Sequence, residues 1–147
     1  MAIAAIYEHD FYAWLTSNAQ LLREQRIADI DIAHIAEELE SMGKSEKRAL
    51  LSRFTVLLAH LLKWQFQPAK RLRSWKNTIL TQRIDIHELL EESPSLRHDL
   101  AEKLGTAYEK AKLSAEIETG IEARHFPVAC PFTLGQLLDN DFFPEEA

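Results

Sequence analysis

Cysteine occurs once, at Cys130, so the chain can form no internal disulfide, and a reducing, cytoplasmic setting is the natural expectation. Glycine (4) and proline (5) are scarce among 147 residues and no stretch repeats, which excludes collagen-like, low-complexity and solenoid chains. The opening MAIAAIYEHDFYAW has no basic segment, and Glu8, His9 and Asp10 break its apolar run, which argues against a secretory signal. The longest strongly apolar stretch, Phe54 to Phe66, falls short of the ~20 residues that span a bilayer and contains His60 and Lys63, so no membrane association is expected. A phosphate-cradling glycine loop, a nucleophile elbow, an HExxH pair and a double CxxC are all missing. The common hydrolase and nucleotide-binding classes are therefore disfavoured, and no cofactor is expected.

One further absence is local. From Lys47 to Ile84 there is no Asp or Glu, while nine bases occur, Lys47, Arg48, Arg53, Lys63, Lys70, Arg71, Arg73, Lys76 and Arg83. All 23 acids share the remainder with eight bases, and the net charge of the whole is −6. Basic helices set against acidic ones, neutralising each other inside the fold, are the plainer expectation. Nucleic acid is a possible partner for this stretch, with Trp64, Phe66 and Trp75 as stacking candidates, but it is not favoured. No helix-turn-helix, zinc-finger or RNA-binding signature accompanies the charge.

What is present is helical periodicity almost throughout. Residue number and a hydrophobic share of 46% suffice for one domain with a core of its own, without disulfide or structural metal. We expect a single all-α domain over 1–147, a bundle of about five main helices plus a short last one. Asp10 caps a first helix with Phe11, Trp14, Leu15, Ala19 and Leu22 on one face. Asp31 caps a second, with Ile32, Ile35, Ala36, Leu39 and Met42, which Gly43 interrupts and Ser45 restarts. Leu50 to Trp64 is apolar on nearly every side, marking a central helix that ends at Pro68. A fourth helix is predicted from about Lys70 to Glu92, with Leu72, Trp75, Ile79, Ile86, Leu89 and Leu90 inward. Ser93 and Pro94 read as N-cap and N1 of a fifth helix, whose stripe Leu96, Leu100, Leu104, Ala107, Ala111 and Ala115 runs to Gly120. Residues 121–132, with Pro127 and Pro131, are expected as extended coil. Thr133 and Gln136 form a capping box for the short last helix, and 139–147 a tail, loose or packed back.

Several segments also carry a resemblance: DFYAWL from Asp10, IAEELESMGKSE from Ile35, LLAHLLKWQFQP from Leu57, SWKNTILTQR from Ser74, SPSLR from Ser93, ETG from Glu118, FPVACP from Phe126 and DNDFFP from Asp139. Together they resemble domain-of-unknown-function family 29, a bacterial family abundant in cyanobacteria, over nearly the whole chain. The resemblance implies a small helical bacterial protein and brings no reaction, cofactor or catalytic residue.

Candidate sites follow from polar residues at helical spacing. Glu46, Arg53, His60 and Gln67 recur every seven residues on one ribbon, with Lys63 and Trp64 beside it. His60 is a candidate general base, since imidazole titrates near neutrality; a core histidine bonded to a neighbour is the plainer expectation. Asp31, His34, Glu37 and Glu38 offer metal-ligand chemistry along one helix, with His34 and Glu37 the candidate ligands, but the paired Glu-x-x-His of a bundle metal site is missing and no metal is expected. One combined reading sets Glu37 or Glu40 against His60 as catalytic candidates, with Arg71, Arg73 and Trp64 as ligand-binding candidates for a phosphorylated or nucleic-acid ligand. Cys130 reads as a packed thiol. The leading expectation is an interaction or regulatory module with a protein partner or a second copy of itself.

Overall fold

The computed structural model describes residues 2–147. Six helices and no strand are found among the described residues: α1 (Ile3–His9), α2 (Phe11–Arg23), α3 (Ile32–Phe66), α4 (Arg73–Glu92), α5 (Leu100–Thr119) and the short α6 (Leu134–Leu138). The chain is an all-α bundle with a short last helix. It divides into two compact units, the first ending at Glu46 and the second comprising Lys47–Ala147.

In the first unit, Asp10 both ends one helix and begins the next. Its N–H donates to the Ile6 carbonyl at 2.8 Å, while its carboxylate accepts from the Ala13 N–H at 3.0 Å. That fills orphan groups at two helix ends with a single residue. The short α1 is not expected from periodicity, because seven residues offer too few turns to show a stripe. α2 closes on Gln25, whose left-handed φ of 59° lets its N–H reach the Leu22 carbonyl and the Arg26 N–H reach Leu21. The stripe expected to be the inner face of α2 is present but faces solvent, for only Trp14 of its members is buried.

α3 corrects the expected break at Gly43. Its 35 residues run without interruption from the first unit into the second. Stopping there would leave about four N–H and four C=O groups without partners at the new ends, against a cost of about 1 kcal/mol for one glycine in a helix. Gly43 is exposed, and nothing lies within 4 Å of where a Cβ would sit. Gly43→Ala is therefore expected to raise stability by about 0.5–1 kcal/mol, read as a higher urea midpoint at unchanged slope.

The second unit holds the large core. On α3, Leu50, Phe54, Leu57, Leu58, Leu61 and Leu62 are all buried, which is the central helix the sequence implies. α4 adds Ile79, Ile86 and Leu90, while Leu72 precedes the helix and is exposed. α4 begins at Arg73 rather than Lys70, since Pro68–Lys70 forms a separate 3₁₀ turn. α5 begins at Leu100, not at Pro94. Pro94–Arg97 forms another 3₁₀ turn, and Asp99, left-handed at φ 59°, separates it from the helix. The small stripe Ala107, Ala111 and Ala115 is buried, and Gly120 terminates α5 with φ 78°. Tyr108 on α5 donates its hydroxyl to the Pro127 carbonyl at 2.5 Å, holding down the otherwise irregular segment 121–132, which contains one 3₁₀ turn, Ala123–His125. Thr133 and Gln136 form both bonds of the capping box that opens α6.

Candidate functional site

The first unit is organised by a polar hub. Among its described residues, the buried side chains are Trp14, Asn18 and Asp31. Asp31 precedes the first turn of α3, and its Oδ1 accepts from the His34 N–H at 3.3 Å. Its Oδ2 accepts from the Trp14 indole N–H at 2.9 Å and lies 2.7 Å from His34 Nδ1, which carries the proton toward it. The Asp31 N–H donates to Asn18 Oδ1, and Asn18 Nδ2 returns to the Trp14 carbonyl, at 2.9 and 2.8 Å. Two helices are thereby pinned through one carboxylate. Burial pushes the Asp31 carboxyl up, but hydrogen bonds from Trp14 and His34 outweigh it and hold the group below its ordinary range. The bond to Asp31 raises His34 above the ordinary imidazole value.

Aromatic rings surround this hub. Tyr7 stacks on His34 with centroids 4.0 Å apart and meets Trp14 edge-on at 4.9 Å, while Phe11 stacks on Trp14 at 5.6 Å. The Tyr7 hydroxyl donates to Glu38, which is the main reason its own ionisation is pushed up to about 12. Tyr7, Asn18 and the bond to Glu38 are invisible to motif reasoning. A sequence signal for Asn18 does exist, since it stands at i+4 from Trp14 and i+7 from Phe11, on the apolar side of α2.

Of the sequence candidates here, His34 is brought into the hub, while Glu37 and Glu40 are exposed on α3. Among the described residues no group of three or more His, Cys, Asp or Glu side chains converges as a metal ion would require. His60 lies twenty positions beyond Glu40 on the same helix, about 30 Å of rise, so the helix does not bring those two together.

In the second unit, half-buried His60 donates its Nδ1–H to the Val56 carbonyl at 2.9 Å, and burial lowers its pKa. Nearby, buried Lys63 pairs with Glu118 of α5 and sits 4.8 Å over the Trp75 ring. Arg71 is held by Trp64, donating Nε–H to its carbonyl at 2.9 Å and lying 4.8 Å over its ring, whereas Arg73 is exposed. Arg53 pairs with Asp85 at 2.8 Å. Three of the nine bases are thus committed inside the unit. A fourth, Arg83, is fully buried; it donates Nε–H to the Leu137 carbonyl at 2.8 Å and Nη2–H to Gln136 at 3.2 Å. Beside it, His87 Nε2 donates to Leu138 at 2.8 Å, so two α4 side chains satisfy the last carbonyls of α6. Cys130 is half-buried with its thiol pushed up by burial, an unreactive environment. An open groove of about 290 Å³ is lined by Ala49, Ser52, Arg53, Val56 and Gln82, none of them a favoured catalytic candidate.

Apolar surface distinguishes the first unit most. On α2, Phe11, Leu15 and Leu22 share one face and are each exposed, and the neighbouring Tyr12 is 77% exposed. On α3, Ile32, Leu39 and Met42 are each more than 60% exposed, at 63%, 63% and 64%. The unit is acidic, with nine acidic side chains against Arg23, Arg26 and Lys44.

The family model described as Domain of unknown function DUF29 matches residues 6–143, and the chain belongs to that family. No curated protein and no solved structure matches it. Among the described residues no helix is long and apolar enough to cross a membrane.

Proposed function

We propose that this member of the DUF29 family is a helical interaction module, which docks a basic amphipathic helix on the exposed apolar stripes of its first unit. One observation carries the proposal: residues at helical spacing, which ordinarily mark a core face, are exposed on both α2 and α3 of that unit. Exposed large apolar side chains cost little if a partner covers them, and an amphipathic helix presents i, i+4, i+7 apolar anchors to such a surface. Charge narrows the partner. Nine acids against three bases in the unit would repel a second copy of the same face and attract a helix whose polar side is lysine- and arginine-rich. Met42 adds an unbranched, adaptable contact of the kind found on helix-binding surfaces. The lone Cys130 is consistent with a reducing, cytoplasmic setting.

A photo-crosslinking side chain at Leu39 or Met42, expressed in the native host, is expected to yield discrete adducts with one or a few proteins. The same group at Lys110, exposed on α5, is expected to yield none. Identical adduct patterns at all three positions would remove the proposal.

A further inference from the structure

Residues 139–147 follow α6 without helix or strand, yet they are seated on the second unit. Their sequence, DNDFFPEEA, holds four carboxylates, no base, two adjacent phenylalanines and a proline. Phe143 packs against Trp64 of α3 with centroids 5.0 Å apart, and the Arg83 guanidinium lies 5.7 Å from the Phe143 ring. Phe142 meets Phe132 edge-on at 6.0 Å, and Pro144 is buried. Among the described residues, two backbone bonds join the segment to helices, from the Asp139 N–H to the Gln136 carbonyl of the adjoining α6 at 3.3 Å and from the Ala147 N–H to the Gln65 carbonyl of α3 at 3.2 Å. The remaining backbone and Asx bonds within it are local, to Asp139. Side-chain anchors therefore hold this peptide, as they hold peptides that bind in trans.

The seat has unused hydrogen-bonding capacity. Arg83 is fully buried, but its Nη1 has no partner, and the same is true of the buried Arg71 Nη2 and Gln65 Oε1. Buried donors of a guanidinium are costly to leave unpaired, and a bound carboxylate or carbonyl would satisfy them. Of the bases nearby, Arg71 and Arg83 lie over the Trp64 and Phe143 rings without a carboxylate partner, which suits a ligand with the charge of DNDFFPEEA.

We propose that the seat formed by Trp64, Arg71 and Arg83 is a peptide-binding groove, occupied in cis by residues 139–147, and that it accepts in trans an acidic peptide with adjacent aromatic residues followed by proline. The seat shares no residue with the apolar stripes of the first unit. The tethered segment competes at an effective concentration of about millimolar, so a trans ligand displaces it by reaching donors the segment leaves idle.

A fluorescein-labelled DNDFFPEEA peptide, titrated into the full chain and into the full-length Phe143→Ala variant, tests this. Anisotropy should show binding to the variant at least tenfold tighter than to the parent chain, because the variant's own segment has lost its anchor. A peptide with both phenylalanines changed to serine should not bind. Absence of binding by a variant whose far-UV circular dichroism equals the parent's overturns the proposal. Should the variant lose helicity, the parent decides: at several millimolar unlabelled peptide the Phe142 and Phe143 amide resonances of the isotope-labelled chain must shift as its own segment is displaced, and unmoved resonances overturn the proposal equally.

Discussion

Arg83→Ala is expected to lower the stability of the chain by about 4 kcal/mol, which would consume a large part of the 5–15 kcal/mol typical of a domain. Two effects add. The Leu137 carbonyl, which accepts from Arg83 at 2.8 Å, would be left without a donor, at about 1–3 kcal/mol, and the Gln136 carbonyl would keep only the Asp139 N–H at 3.3 Å. The side chain is fully buried, so its loss also leaves a cavity beneath α6. Arg83→Lys keeps charge and most of the volume but not the planar fork that reaches two carbonyls, and should recover about half of the loss. Urea denaturation followed by circular dichroism measures both, and an alanine variant within about 1 kcal/mol of the parent would contradict the role assigned to Arg83.

Asp31→Ala is expected to be nearly as damaging, by about 3 kcal/mol, and confined to the first unit. It removes a helix cap worth about 1 kcal/mol and leaves the indole N–H of buried Trp14 unpaired, at about 1–3 kcal/mol. The same hub predicts a pH dependence. Asp31 has a depressed folded pKa, so its contribution is complete above the unfolded carboxyl value near about 4 and is lost as pH falls through the lower folded value. His34 has a raised folded pKa, so its contribution is complete below about 6.5 and is lost as pH rises through the higher folded value. Between those limits the hub is strongest. His60 behaves oppositely to His34. Its folded pKa is lowered, so below about 6.5 the unfolded chain takes up protons that the folded second unit refuses, and stability there falls with acidification. Hydrogen exchange of α2 amides across pH 3–9, compared with α4 amides, separates the two behaviours. Parallel profiles for both helices would contradict them.

How much was legible in the sequence follows from the same residues. The 3.6-residue period identified the all-α fold, the central stretch of α3 and the alanine stripe of α5, because burial there is decided by the residues themselves. Gly120 and the Thr133–Gln136 box were legible because each has one local physical use. Gly43 misled, since the cost of one glycine is small beside the continuity of a long helix. Ser93–Pro94 started a turn rather than a helix, a choice settled by Asp99 adopting φ 59°. Apolar spacing also cannot say whether a stripe is covered, which is why the α2 and early α3 faces read as core and proved to be surface.

The polar sites were less legible for a related reason. Arg83 occupies the inner stripe Ile79, Arg83, Ile86 and Leu90 of α4, yet a basic residue within a basic stretch is counted as surface. Its partners are backbone carbonyls more than fifty residues away, which leave no trace in residue type. Asp31 and His34 were noticed as metal-binding chemistry, while their actual bonds to each other and to Trp14 depend on how α2 returns toward α3. Sequence marks Arg71 as a ligand-binding candidate but gives no sign that its guanidinium lies over Trp64, seven positions earlier.

The interaction surface on the first unit is the central claim, and methyl NMR of the full chain during titration with a synthetic helix of leucine and lysine at heptad spacing tests it most directly. Shifts are predicted at Leu15, Leu39 and Met42, weakening as salt is raised, with the methyls of Leu57, Leu61 and Ile79 unmoved. Shifts no larger than those produced by a leucine–glutamate control helix, or shifts confined to the second unit, would contradict it.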